Sequence, residues 1–248
     1  MLVLARVLGL FMMAPLLSAR SIPAMAKVAF AIWITAVMWY VVPISPQLLP
    51  VTAIGLIISL VIEVVIGFLM GFLANVIFIA IQSAGELIDL QMGLSVAASF
   101  DPIFGSSISV IGRLCFYIAL TVFVLVNGHH MLLSAVYNSF TVFPPGSMIN
   151  LTSPLLVEQM MGIITTFWTI AMQLAGPIIL MIFLSDFAFG IVSRVAPQVN
   201  VFQLGFQVKP SLGLVGLIFM LPIFSKHIVN LISNMMAEII KLLSALRF

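Results

Sequence analysis

The chain has 248 residues, 63% of them hydrophobic and only 6% charged, with a mean hydropathy of +1.33. Soluble domains carry about a quarter charged residues, so this composition excludes one and points to an integral membrane protein or part of an equally apolar assembly. Nine basic against seven acidic residues give a net charge of +2, and the basic ones are scattered, which argues against a nucleic-acid partner.

The first apolar run is Leu2–Leu17. Its one basic residue, Arg6, lies inside the run, and more apolar chain follows the small residues near Ala19, so it reads as a retained helix and not as a cleaved signal. Val28–Val42 is the second run, and Val51–Ile81 the third, with 31 residues. At 1.5 Å per residue the third is roughly 46 Å long, against a hydrocarbon core of about 30 Å, so part of it is expected to meet protein rather than lipid. Glu63 inside it costs about 2.5–3.5 kcal/mol at a bilayer centre and should face protein or water, as a helix-to-helix hydrogen bond more readily than a proton relay. Gly67 and Gly71, in GFLMG, fit the small-xxx-small pattern of close helix packing, a pattern of low specificity in a glycine-rich segment.

An acidic, small-residue stretch follows, ELIDLQMGLSVAASFDP, Glu86 to Pro102, with no Lys or Arg between Gln82 and Ser107. Glu86 and Asp89 are three apart, a spacing open to acid–base chemistry, but no His or Cys is near and a solvated face is the expectation. Ile108–Val126 is the fourth run and holds the single cysteine, Cys115, which reads as a small buried hydrophobe. His129 and His130 are adjacent and so point to different sides of a helix; they mark a helix boundary better than a metal site.

The fifth run, Leu155–Val192, has 38 residues, roughly 57 Å as a helix, and Gly176-Pro177 is a place for a kink or break. The sixth is Leu212–Phe224. The last 23 residues form an amphipathic helix, with Ile228, Ile232, Met235, Ile239 and Leu243 on one face and Asn230, Asn234, Glu238 and Lys241 on the other. That face is expected to pack on neighbouring subunits, its alternative being the bilayer interface. Arg20 with Lys27 and Arg194 with Lys209 fall in loops on one side of an alternating topology, predicted cytoplasmic; Pro43–Pro50 and Asn127–Pro154, on the other, have no basic residue. No hydrolase elbow, phosphate loop or nucleophile–base set is present, so no enzyme, cofactor or metal site is expected.

Taken together, RVLGLFMMAPLLSARSIP (Arg6 to Pro23), GFLMGFLANVIFIAIQSAGELIDLQMGLS (Gly67 to Ser95), Asp101-Pro102, NGHH, FPPG (Phe143 to Gly146) and RVAPQVNVFQLGFQVK (Arg194 to Lys209) resemble the FliR family of flagellar biosynthetic proteins, related to the T subunit of virulence type III secretion systems. The resemblance implies an all-α fold of polytopic, membrane-associated helical hairpins with long, kinked helices, one FliR-like domain over 1–248. It also implies a P-subunit-like half at 1–150 and a Q-subunit-like half at 151–248. Such a chain would be a structural and gating subunit of the flagellar export channel in the bacterial inner membrane, within the basal body and partly projecting to the periplasmic side. Its implied partners are FliP-like and FliQ-like gate subunits, an FlhB-like switch protein, membrane lipid and unfolded export substrates in transit.

In that setting the central stretch becomes a pore plug, with Met92, Val96, Phe100 and Phe104 as apolar stoppers and Gly93 among the residues that give it freedom. Arg194, Pro197, Gln198, Asn200, Phe202 and Lys209 become the partner-binding loop for the switch protein. A self-contained secondary transporter or channel is the alternative; it should show broken helices and midplane charges, at which Gly176-Pro177 and Glu63 hint.

Overall fold

The computed structural model describes residues 1–19, 21–41, 52–94, 109–147, 149–150 and 153–247. All regular structure among them is helical: α1 (Leu2–Met13), α2 (Ala24–Trp39), α3 (Ala53–Met92), α4 (Val110–Leu125), α5 (Gly128–Val142), α6 (Pro154–Val195) and α7 (Val201–Arg247). The fold is that of an all-α polytopic membrane protein.

Local chemistry sets the boundaries. Thr52 Oγ1 accepts from the Gly55 N–H at 3.2 Å to cap α3, and Ser109 Oγ accepts from the Gly112 N–H at 2.8 Å to cap α4. Gly93, at φ +80°, ends α3 in the left-handed conformation that favours glycine. Asn127, also left-handed at φ 58°, separates α4 from α5, whose axes differ by 70°. Proline opens α6, where its missing N–H costs nothing.

Three helices are long and apolar enough to cross a membrane: α3 with 40 residues, α6 with 42 and α7 over Val201–Leu246, while α4 and α5 reach that length only as a bent pair. At 1.5 Å per residue α3 and α6 are about 60 Å long, twice the hydrocarbon thickness. Three expectations need correction. The stretch Asn127–Pro154, read as a connection, contains α5. Gly176-Pro177 does not break α6, which continues through Pro177 to Val195. The sixth run and the amphipathic tail are a single helix, α7, which takes both Pro210 and Pro222 into its interior.

The chain divides into two compact units, one of Met1–Ile77, Phe123–Thr165 and Asn230–Phe248, the other of Phe78–Val122 and Thr166–Val229. In the first, the tail's apolar face is buried inside the chain itself: Ile232, Met235, Ile239, Leu242, Leu243 and Leu246 are nearly inaccessible. The expected packing on neighbouring subunits gives way to packing on its own core, because the chain supplies the apolar surface needed.

That first unit is organised around α1. Arg6 is completely buried, and its counterion is Glu63, with Nε 2.5 Å from Oε2. Nη1 donates to Ser139 Oγ and Nη2 to the Phe143 carbonyl, both at 2.9 Å, and the guanidinium lies 4.1 Å from the Phe140 ring centroid. One side chain of α1 thus ties α3 to α5 through charge-assisted contacts and a cation–π contact. The backbones come equally close. A Cβ at Gly67 would strike the Arg6 carbonyl oxygen, one at Gly71 would lie 2.6 Å from the Leu10 oxygen, and one at Gly9 would strike the Val64 oxygen.

Candidate functional site

The second unit holds a cavity of about 590 Å³ built from three helix ends. Leu90 to Gly93 come from the end of α3, Asp186, Phe189 and Gly190 from α6, and Val201, Phe202, Gly205, Phe206 and Lys209 from α7. Asp186 lies nine residues before the end of α6 and Lys209 eight after the start of α7, with five residues between the helices. Nearly equal distances from the short connection bring the two level, and Lys209 Nζ sits 2.6 Å from Asp186 Oδ1 with both side chains partly exposed. Phe202 and Phe206 meet edge to face at 4.9 Å between centroids. The cavity has an apolar, aromatic wall and an ion pair at its edge, features that suit an apolar side chain on a polypeptide.

Of the proposed plug residues, Met92 and Gly93 line this cavity; Val96, Phe100 and Phe104 lie outside the described residues. Of the proposed partner residues, Phe202 and Lys209 line it, whereas Arg194, Pro197, Gln198 and Asn200 are exposed beyond it. The reading of Arg194 to Lys209 as one loop is corrected: only 196–200 is outside helix, with Arg194 in the last turn of α6 and Phe202 in the first of α7. Asn200 opens α7 by accepting the Gln203 N–H at 3.2 Å. Gly67 and Gly71 lie in the other unit, against α1.

Asp186 escaped the sequence reading, although its placement opposite Lys209 about a turn was a usable signal. The Arg6–Glu63 pairing was missed as well; two isolated, opposite charges in apolar runs are candidates to neutralise one another. Glu86 and Asp89 do not share a solvated face. Glu86 is exposed and accepts from Gln82 Nε2 at 2.9 Å, while Asp89 is buried, with 2% of its surface accessible. His129 and His130 lie with ring centroids 4.2 Å apart, tilted by 42°, in the first turn of α5, and no group of three metal-ligating side chains occurs among the described residues.

The family model described as bacterial export proteins, family 1, matches residues 1–235. Flagellar biosynthetic protein FliR of Escherichia coli (strain K12) is 32% identical over 241 residues, 96% of this chain and 90% of that protein. The FliR protein of Bacillus subtilis (strain 168) is 29% identical over 234 residues, 94% and 90% of the two chains. Yop proteins translocation protein T of Yersinia pestis is 31% identical over 139 residues, 56% of this chain and 53% of that one. The chain belongs to family 1 of the bacterial export proteins, the family to which it is matched over nearly its whole length.

Proposed function

We propose that this member of bacterial export family 1 is a structural and gating subunit of a type III protein export channel, of the flagellar kind, in the bacterial inner membrane. The family match over residues 1–235 carries the reading. The helix lengths support it: α6 runs to about 63 Å, and only 17% of its most apolar window is buried within the chain. So much exposed apolar surface exceeds what one bilayer thickness covers, and FliP-like and FliQ-like subunits are the proposed cover, in the basal body and partly raised to the periplasmic side. Met92, Gly93, Val96, Phe100 and Phe104 are proposed to plug the resting pore against ions, yielding to unfolded substrate. Arg194, Pro197, Gln198, Asn200, Phe202 and Lys209 are proposed to meet an FlhB-like switch protein.

Against the transporter alternative stand the unbroken α6 at Pro177 and the pairing of Glu63 with Arg6, while the bent pair α4 and α5 is the one broken span among the described residues. Affinity purification of the tagged chain from native membranes tests the proposal. The expected result is co-isolation of P-like and Q-like subunits, and cells carrying an assembled Phe100→Ala complex should leak ions. Isolation of a monodisperse, stable chain without those subunits would overturn the proposal.

A further inference from the structure

Met92, the last residue of α3, has no accessible surface, and its seat is a glycine. A methyl group added at Gly213 of α7 would lie 2.6 Å from both Cγ and Sδ of Met92 and 2.9 Å from its Cε, so the side chain fills the space that the missing Cβ leaves. The following residue, Gly93, turns at φ +80° beside the Phe206 ring, which would be 3.5 Å from a Cβ there. One turn further along α7 the arrangement recurs: the space at Gly216 is taken by Cε of Met181, from α6.

A glycine inside a helix is a poorer helix former than alanine, so Gly213 weakens α7 unless its absent side chain serves another purpose. Methionine is the side chain suited to such a seat, being unbranched, polarisable and able to leave and re-enter a gap by rotation about three bonds. The three nearest atoms that a methyl group at Gly213 would meet all belong to the Met92 side chain. Substitution there would displace Met92 rather than deform α7.

We propose that Gly213 is a positioning residue for the end of α3: it is the socket that holds Met92, and through Met92 it fixes Gly93 against Phe206 at the cavity wall. The inference rests on the reading of Met92 and Gly93 as the start of the plug, and it assigns the contact that sets their resting position. A helix residue without this role would strengthen α7 when changed to alanine. A socket residue would loosen α3 instead.

Hydrogen–deuterium exchange on the full chain, purified with the proteins that accompany it from the membrane, tests this in four forms: unaltered, Gly213→Ala, Met92→Ala and the double variant. Gly213→Ala should speed exchange of the amides at 90–93 by about tenfold in the Met92 background, since overpacking opens the end of the helix. In the Met92→Ala background the same substitution should slow exchange, because the added methyl group fills the gap that the lost side chain leaves. This reversal of sign is the signature of a seated pair. If Gly213→Ala alone fails to accumulate while the double variant does, the rescue carries the same sign reversal and supports the socket. Equal effects in the two backgrounds, or accumulation of neither variant, would overturn it. Secretion of an export substrate, measured in the same strains, separates the two readings: sign reversal in exchange with secretion and ion leak unaltered keeps the socket and removes the plug.

Discussion

Helix α3 is gripped twice, and the two grips differ in kind. In its first half, in the first unit, α1 crosses it with backbone against backbone at Gly67 and Gly71, locked by the Arg6–Glu63 pair. At its end, in the second unit, α3 meets α7 through a methionine lying over a glycine. Carbonyl oxygens cannot rotate away and a buried guanidinium cannot leave its carboxylate without a large desolvation cost, so the first contact has one arrangement. A thioether has several rotamers of similar energy, so the second contact can be released and remade. A single helix thus carries a fixed anchor and an adjustable one. Rigidity is not uniform in the second unit either, since Gly85 on α3 approaches Gly112 on α4 so closely that a Cβ would lie 2.6 Å from the Gly112 Cα.

The contrast is broken most severely at the charges. Arg6→Ala or Glu63→Ala leaves one buried charge unmatched and should cost about 3–5 kcal/mol, whereas Arg6→Met with Glu63→Leu should recover most of it. Denaturation of the purified protein in mixed micelles, followed by circular dichroism, measures both, and equal loss in single and double variants would show that the pair does more than neutralise itself. A smaller effect sharpens the distinction between anchors. Gly67→Ala should cost about 1–3 kcal/mol because only backbone stands in the way, while Gly216→Ala should change stability by less than about 1 kcal/mol because the Met181 methyl group can swing aside and alanine favours the helix. The same titration compares them, and equal costs would contradict the fixed-versus-adjustable division. The least effect belongs to the edge of the cavity, where Asp186→Asn should cost no more than about 1 kcal/mol, a half-exposed pair being screened by water and salt. Unfolding midpoints at low and high salt check this, and a loss independent of salt would mean that Asp186 is held by more than Lys209.

That α3 and α6 are longer than a bilayer is thick was legible in the sequence, in apolar runs of 31 and 38 residues with few charges. Helix α5 was not, because GHHMLLSAVYNSFTV mixes two histidines, two serines, an asparagine and a threonine into its turns and lies between Asn127 and Pro144-Pro145, so it reads as a polar connection. The unity of α7 was hidden by Pro210, Pro222 and Lys226, ordinary signs of interruption that this helix nevertheless takes into its length. A small part of the cavity was foreseeable from local patterns, as the aromatic at Phe202 and the basic Lys209 stood out. That these residues meet Met92 and Gly93 was not, because the contact joins segments more than a hundred residues apart and leaves no periodic trace. Asp89 illustrates the reverse error: its spacing from Glu86 suggests a wet face, and helix packing buries it.

The Arg6–Glu63 pair also has a history in time. The two residues are 57 apart in the chain, and ribosomes add roughly 5–20 residues per second, so for roughly three to eleven seconds Arg6 exists without its carboxylate. Ser139 and the Phe143 carbonyl arrive later still, 133 and 137 residues after Arg6. A lone arginine is costly at the bilayer centre, so during synthesis α1 has no settled place in lipid and must wait at the interface or within the insertion machinery. Helix α1 therefore settles only after α3 and α5 have been made, and the order of synthesis is not the order of assembly.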